Sequence, residues 1–178
     1  MNYILFGFKC CGKTTLGKRV ADALGMRFVD TDDLITALYQ QETGAQMTCR
    51  EIALKAGAER FRELEACAIA QLQDVQGAII AVGGGAVLFA GNLTKLAAIG
   101  QLIYLDLDRA TLKQRILAGP LPSYLDPEDV EGSFQKMYEV RKEMYERIPA
   151  AKISLTGQSA DQSVDELCKL MRGSTYGK

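Results

Sequence analysis

Apolar positions along the chain follow two rhythms. Short apolar runs occur at Tyr3–Phe6, Ala78–Val82 and Leu102–Leu107, with weaker ones at Arg27–Asp30 and Lys152–Thr156. Runs of four to six such residues, bounded by Gly, Asp or Thr, predict buried strands. Between them the apolar residues fall three and four apart, which predicts helices. Leu16, Val20 and Leu24 give a helix over 13–24, stopped by Gly25. A second helix is expected over 32–40. Thr48 and Glu51 form a capping-box pair that opens a third. Phe61, Leu64, Ala68, Ile69 and Leu72 predict a longer one over 59–73. Asn92, Asp108 and Ser133 are the expected N-caps of helices ending at Ile99, Leu117 and Arg147. A last helix holds Val164 to Met171, with a frayed tail over 173–178.

Five short strands alternating with helices is the pattern of a parallel sheet covered on both faces. The expected fold class is therefore α/β, a three-layer sandwich with a five-stranded parallel sheet, in a single domain over 1–178. No internal repeat is present. The one compositional break is 118–132, which carries Pro120, Pro122 and Pro127 among acidic residues. This segment is a candidate lid.

Composition changes the picture in a few places. A chain of 178 residues, 48% hydrophobic, can bury one proper core. A net charge of -1 gives no global attraction to nucleic acid or a membrane surface. No basic segment precedes an apolar run at the N-terminus, and no apolar stretch approaches the roughly 20 residues of a span. The 5 cysteines show no C-x-x-C spacing, so neither a disulfide framework nor a zinc site is expected, and a reducing cytoplasm is the natural setting. The chain has no His. Acid–base chemistry must therefore use a carboxylate, Lys, Tyr, Cys or the substrate itself.

The clearest chemical signal is Gly7-Phe8-Lys9-Cys10-Cys11-Gly12-Lys13-Thr14, which fits G-x-x-x-x-G-K-[ST]. It follows a predicted strand and opens a predicted helix. Glycines in such a loop let successive backbone amides point at phosphate oxygens, and the helix N-terminus adds its positive end. Gly7, Cys10, Cys11, Gly12, Lys13, Thr14 and Thr15 are the expected nucleotide contacts, with ATP as the nucleotide. Lys13 is placed for the β- and γ-phosphates and Thr14 for Mg²⁺. Cys10 and Cys11 read first as small residues whose backbone matters. A thiolate activated by the positive loop is the sharper reading.

Three further groups stand out. Asp30 and Asp32 follow the second strand, at the sheet edge where α/β proteins bind ligands. They suit Mg²⁺ binding or acceptance of a hydroxyl proton, against a simple capping role. Arg62 and Glu65 share a helix face, a spacing that on its own reads as a solvated pair. Gly83, Gly84 and Gly85 follow a buried strand and let something approach the backbone closely. Arg141 lies in a strongly charged helix, where a solvated face is the plain reading.

Taken together, the phosphate loop, Asp30-x-Asp32, Phe61-Arg62-x-x-Glu65, Gly83-Gly84-Gly85 and Arg141-x-x-x-Tyr145 resemble the shikimate kinase family. The resemblance runs from about Tyr3 to Leu170. It implies transfer of the ATP γ-phosphate to the 3-hydroxyl of shikimate in aromatic amino-acid (chorismate) biosynthesis. It also implies a P-loop kinase fold with a short mobile lid, a cytoplasmic location and a monomer. By the resemblance, Asp30 contacts Mg²⁺ through water, and Asp32 holds the shikimate hydroxyls and accepts the proton of the attacking one. Arg62, Gly83, Gly84, Gly85 and Arg141 hold shikimate, the two arginines facing its carboxylate. Glu65 orients Arg62, and Arg115 packs on the nucleotide.

Two departures from the family pattern are visible. The family lid carries Arg-Pro-Leu-Leu, whereas this chain has Gly119-Pro120-Leu121-Pro122. Ala58 stands where the family commonly has Glu. No Lys or Arg lies between Arg115 and Lys136. Arg115 is thus the expected catalytic substitute for the lid arginine. The alternatives are a gluconate-kinase-like or nucleoside-monophosphate-kinase-like enzyme of the same fold, or a nucleotide-binding regulatory module with weak or no catalysis.

Overall fold

The structure, a computed structural model, describes residues 1–122 and 124–175. Five parallel strands are β1 (Asn2–Phe6), β2 (Arg27–Asp30), β3 (Ala78–Ala81), β4 (Gly100–Asp106) and β5 (Ala151–Ser154), in the sheet order β2-β3-β1-β4-β5. The helices are α1 (Lys13–Leu24), α2 (Thr31–Thr43), α3 (Cys49–Ala70), α4 (Ala90–Ile99), α5 (Arg109–Leu117), α6 (Val130–Glu146) and α7 (Ala160–Thr175). Strand β1 lies at the centre because it is apolar on both faces; all five of its residues are buried. Strand β1 pairs with β3 on one side and β4 on the other, and the strand order reverses there, so a crevice opens at the carboxyl end of β1.

Several element boundaries differ from the expected ones. Phe89, not Asn92, is the N-cap of α4, and Asn92 is buried inside that helix. Asp129, not Ser133, caps α6 by accepting from the Gly132 amide, so the last residues of the expected lid are helical. A carboxylate three residues before an available amide outcompetes a hydroxyl further along the same turn. Helix α7 runs on to Thr175, through part of the tail expected to fray. Positions 176–178 of that tail, and Ser123 of the lid, lie outside the described residues. The two helices expected around 48–73 form one element interrupted at Gly57, whose φ of 86° and ψ of 164° break the helical path. Only glycine takes up such a conformation at little cost.

Buried apolar side chains form two clusters. The larger surrounds the sheet. The smaller holds Ile35, Tyr39, Ile52, Leu64 and Ala68, between α2 and α3. An aromatic group ties α6 to the phosphate loop. Phe8 stacks on Tyr138 at 4.9 Å and meets Tyr145 edge-on at 5.0 Å, while Phe6 stacks on Tyr104 at 5.3 Å. Each such pair adds about 0.5–1.5 kcal/mol beyond burial. Lys142 of α6 also reaches Asp106 at the end of β4, at 3.2 Å. These contacts fix where the adjacent Arg141 stands.

Candidate active site

A cavity of about 730 Å³ opens over the carboxyl ends of β1, β2 and β3. It brings together Lys13, Thr14, Thr15, Asp30, Asp32, Arg62, Glu65, the three glycines 83–85, Arg115 and Arg141. Residues from distant parts of the chain meet here because each follows a strand or faces the crevice from a flanking helix.

The phosphate loop leaves β1 through Gly7, at a φ of 143°. A Cβ there would lie 2.6 Å from the carbonyl oxygen of Leu105, so the loop closes on β4 only with glycine. Lys13 is buried, and its Nζ donates to the carbonyls of Phe8 at 2.7 Å and Gly7 at 3.1 Å. The lysine thus folds back across its own loop, where an arriving phosphate would exchange for those carbonyls. Cys10 is exposed and holds a left-handed φ of 65°, whereas Cys11 is buried with its Sγ 3.9 Å from Lys13 Nζ. Arg115 of α5 reaches the loop from outside, Nη1 lying 3.5 Å from the carbonyl oxygen of Cys10.

Asp30 caps a helix and makes a second contact besides. Oδ1 accepts from the Asp32 amide at 3.0 Å and caps α2; Oδ2 accepts from the Thr14 hydroxyl at 2.7 Å. A hydroxyl and a carboxylate oxygen so placed are hard donors that suit Mg²⁺, which keeps most of its ligands as water and phosphate. Among the described residues, no group of three or more His, Cys, Asp or Glu could hold a metal by itself. Asp32 opens onto the cavity, yet protein surrounds it. Burial and the neighbouring Asp30 carboxylate raise its pKa above the ordinary 3.8, and Lys13 and Lys9 pull the other way.

The Arg62–Glu65 pair is not a solvated one. Arg62 Nη1 donates to both Glu65 oxygens, at 2.9 and 2.8 Å, and the Glu65 side chain is only 1% exposed. Burial raises the Glu65 pKa, and the guanidinium opposes that. Arg62 lines the cavity from this position. Arg62 also packs against Phe89, 4.9 Å from its ring centre. Nor does Arg141 lie on a solvated face. Its guanidinium lies 4.7 Å from the ring centre of Tyr124, a lid residue that lines the cavity with Pro122.

The triple glycine is wedged among these groups. A Cβ on Gly83 would lie 3.3 Å from Glu65 Oε1; on Gly84, 3.2 Å from the Lys9 backbone nitrogen; on Gly85, 2.8 Å from Arg62 Nη2. Thr31 accepts from the Gly83 amide at 3.1 Å, and the Tyr145 hydroxyl donates to the Gly84 carbonyl. Thr31, Phe89 and Tyr124 gave no signal in the sequence. Tyr145 did, through its place four residues after Arg141.

The site can bind a polyphosphate at one end and a small hydroxylated carboxylate at the other. Comparisons with known proteins agree. The family model described as "Shikimate kinase" matches residues 9–172. The chain is 32% identical over 168 residues to the shikimate kinase of Alkaliphilus oremlandii, covering 93% of this chain and 96% of that one. The shikimate kinase of Caldanaerobacter subterraneus is also 32% identical over 168 residues, covering 94% of each chain. The structure of the Acinetobacter baumannii shikimate kinase in complex with shikimate has a TM-score of 0.83 at 28% identity, over 99% of this chain and 95% of that one. Among the described residues no helix is long and apolar enough to cross a membrane.

Proposed function

This chain belongs to the shikimate kinase family, and we propose that it transfers the γ-phosphate of ATP to the 3-hydroxyl of shikimate. The observation that carries this reading is the meeting of two halves in one cavity: a phosphate loop, and an acceptor wall of Asp32, Arg62, Gly83–Gly85 and Arg141. In this role the enzyme serves chorismate formation, acts as a monomer and works in the cytoplasm.

The roles follow from the geometry. Backbone amides of the loop, Gly7 to Thr15, cradle the phosphates, and Lys13 turns from its own carbonyls to the β- and γ-oxygens. Thr14 and Asp30 would hold Mg²⁺, the latter through water; when bound, the ion neutralises charge on the phosphates. Arg115 packs on the nucleotide and adds charge beside the γ-phosphate. Arg62, held by Glu65, and Arg141, backed by Tyr124, grip the shikimate carboxylate; paired guanidinium donors suit a planar anion. The ring lies against the glycine backbone.

Asp32 takes the proton of the 3-hydroxyl as that oxygen bonds to the γ-phosphorus. The bond from phosphorus to the β,γ-bridging oxygen breaks, and ADP leaves with the electron pair. Its raised pKa suits Asp32 to hold that proton better than a fully solvated carboxylate. Positioning and charge stabilisation supply the rest.

A coupled assay of ADP release with shikimate, quinate, gluconate and AMP as acceptors tests the proposal. Shikimate should give the highest kcat/KM. A preference for gluconate or AMP would move the chain to another acceptor class, and ATP binding without turnover on any of the four would make it a regulatory module.

A further inference from the structure

Six cationic side chains line the cavity: Lys9, Lys13, Arg50, Arg62, Arg115 and Arg141. Four have partners in the structure. Lys13 is bonded to loop carbonyls, Arg62 to Glu65, Arg141 stacks on Tyr124, and Arg115 reaches the Cys10 carbonyl from outside the loop. Lys9 and Arg50 have no side-chain hydrogen bond or ion pair among the described residues. Arg50 stands across the cavity on α3. Lys9 stands on the crest of the phosphate loop, exposed, with its backbone nitrogen close against Gly84. It therefore occupies the seam between the nucleotide half and the acceptor half. The segment that would close over this seam, from Ala118 to Gln135, carries no cation of its own.

We infer that Lys9 is a catalytic residue whose ammonium contacts the transferring phosphoryl group from the acceptor side, supplying there the positive charge that the lid lacks. This rests on the reading of the cavity as a phosphotransfer site. A phosphoryl group in flight spreads charge over three equatorial oxygens while its two axial bonds are loose. Lys13 serves the side facing ADP. Lys9, four residues earlier on the same loop, lines the cavity beside Gly84 of the acceptor wall. Its backbone nitrogen lies close against Gly84, and among the described residues its ammonium forms no ion pair.

Lys9→Ala and Lys9→Arg test this, with kcat and both KM values from coupled assays at saturating Mg²⁺. Lys9→Ala should lower kcat about 100-fold while the KM values for ATP and shikimate change by less than about threefold. Lys9→Arg should recover to within about tenfold of wild type. A second readout needs no acceptor turnover. ADP with Mg²⁺ and aluminium fluoride mimics the planar phosphoryl group, and fluoride should strengthen ADP binding in wild type but much less in Lys9→Ala. This arm decides the role of Lys9 even if the acceptor proves to be another alcohol. A kcat within about threefold of wild type, a defect confined to the KM of ATP, or undiminished fluoride-dependent tightening would each overturn the inference.

Discussion

Replacing Gly85 with alanine should separate acceptor binding from everything else the site does. The added Cβ would lie 2.8 Å from Arg62 Nη2, 2.9 Å from Nη1 and 3.2 Å from Cζ. Gly85 has a φ of -96°, which alanine adopts freely, so the backbone tolerates the change. The unfolded chain loses freedom, which by itself would stabilise the protein by about 0.4–1 kcal/mol. The clash falls on the end of a flexible side chain, so the guanidinium gives way rather than the loop. It can shift by a few tenths of an ångström and keep one bond to Glu65, yet it leaves the position from which it faces the carboxylate. A charged hydrogen bond is worth about 1.5–3 kcal/mol. At about 1.4 kcal/mol per factor of ten, the KM for shikimate should rise about ten- to hundredfold. The KM for ATP and the melting temperature should stay near wild type. Gly84→Ala is the contrast, because its Cβ would meet the Lys9 nitrogen at 3.2 Å and the Gly7 carbonyl oxygen at 3.3 Å. These are loop backbone atoms that cannot swing aside, so this variant should lose ATP affinity and stability together. A Gly85→Ala enzyme with a shikimate KM within twofold of wild type would refute the placement of Arg62 on the acceptor carboxylate.

Other outcomes follow from the same geometry. Asp32 must be ionised to accept a proton, and its pKa lies above 3.8, so kcat/KM should fall with decreasing pH around a midpoint above the ordinary aspartate value. Asp30→Asn removes a neighbouring negative charge and should shift that midpoint lower in whatever activity survives, as a pH series would show. Asp32→Asn should cost about 10²–10⁴ in kcat. Arg115→Ala should lower kcat more than it raises the KM for shikimate, and an unchanged kcat would remove Arg115 from the transition state. Among the loop thiols, Cys10 is exposed and Cys11 buried, so a thiol reagent should modify Cys10 first, with inactivation, and ATP should protect it. Loss of activity that tracks a different cysteine in peptide mapping would contradict this.

The nucleotide half was legible because it is local. Eight consecutive residues from Gly7 to Thr14 carry the loop, and the strand before and the helix after are signalled by adjacent residues. The acceptor half was legible only as pieces. Arg62 with Glu65, and Arg141 in its charged helix, each read as surface features, since nothing near them in sequence shows that Glu65 is buried or that Tyr124 lies under Arg141. The family resemblance assembled these pieces, and the fold placed them in one cavity. The start of α6 was not legible because both Asp129 and Ser133 are good capping residues, and it is Asp129 that caps while Ser133 lies within the first turn. Lys9 carries no local signal, because its placement depends on Gly84, 75 positions away, and on what the 118–132 segment does not contain.

The second apolar cluster has a consequence for how such an enzyme changes over time. Ile35, Tyr39, Ile52, Leu64 and Ala68 pack the α2–α3 unit on itself, apart from the core beneath the phosphate loop, and Gly57 breaks the helix within it. The part of the acceptor wall carried by α2 and α3, Asp32 and Arg62, is therefore backed by a small core of its own. Substitutions within that small core are absorbed locally, with little strain reaching the residues that grip ATP. A chain built this way can drift toward new alcohols while its donor chemistry stays fixed, which makes the acceptor wall the natural place for selection, or a protein engineer, to begin.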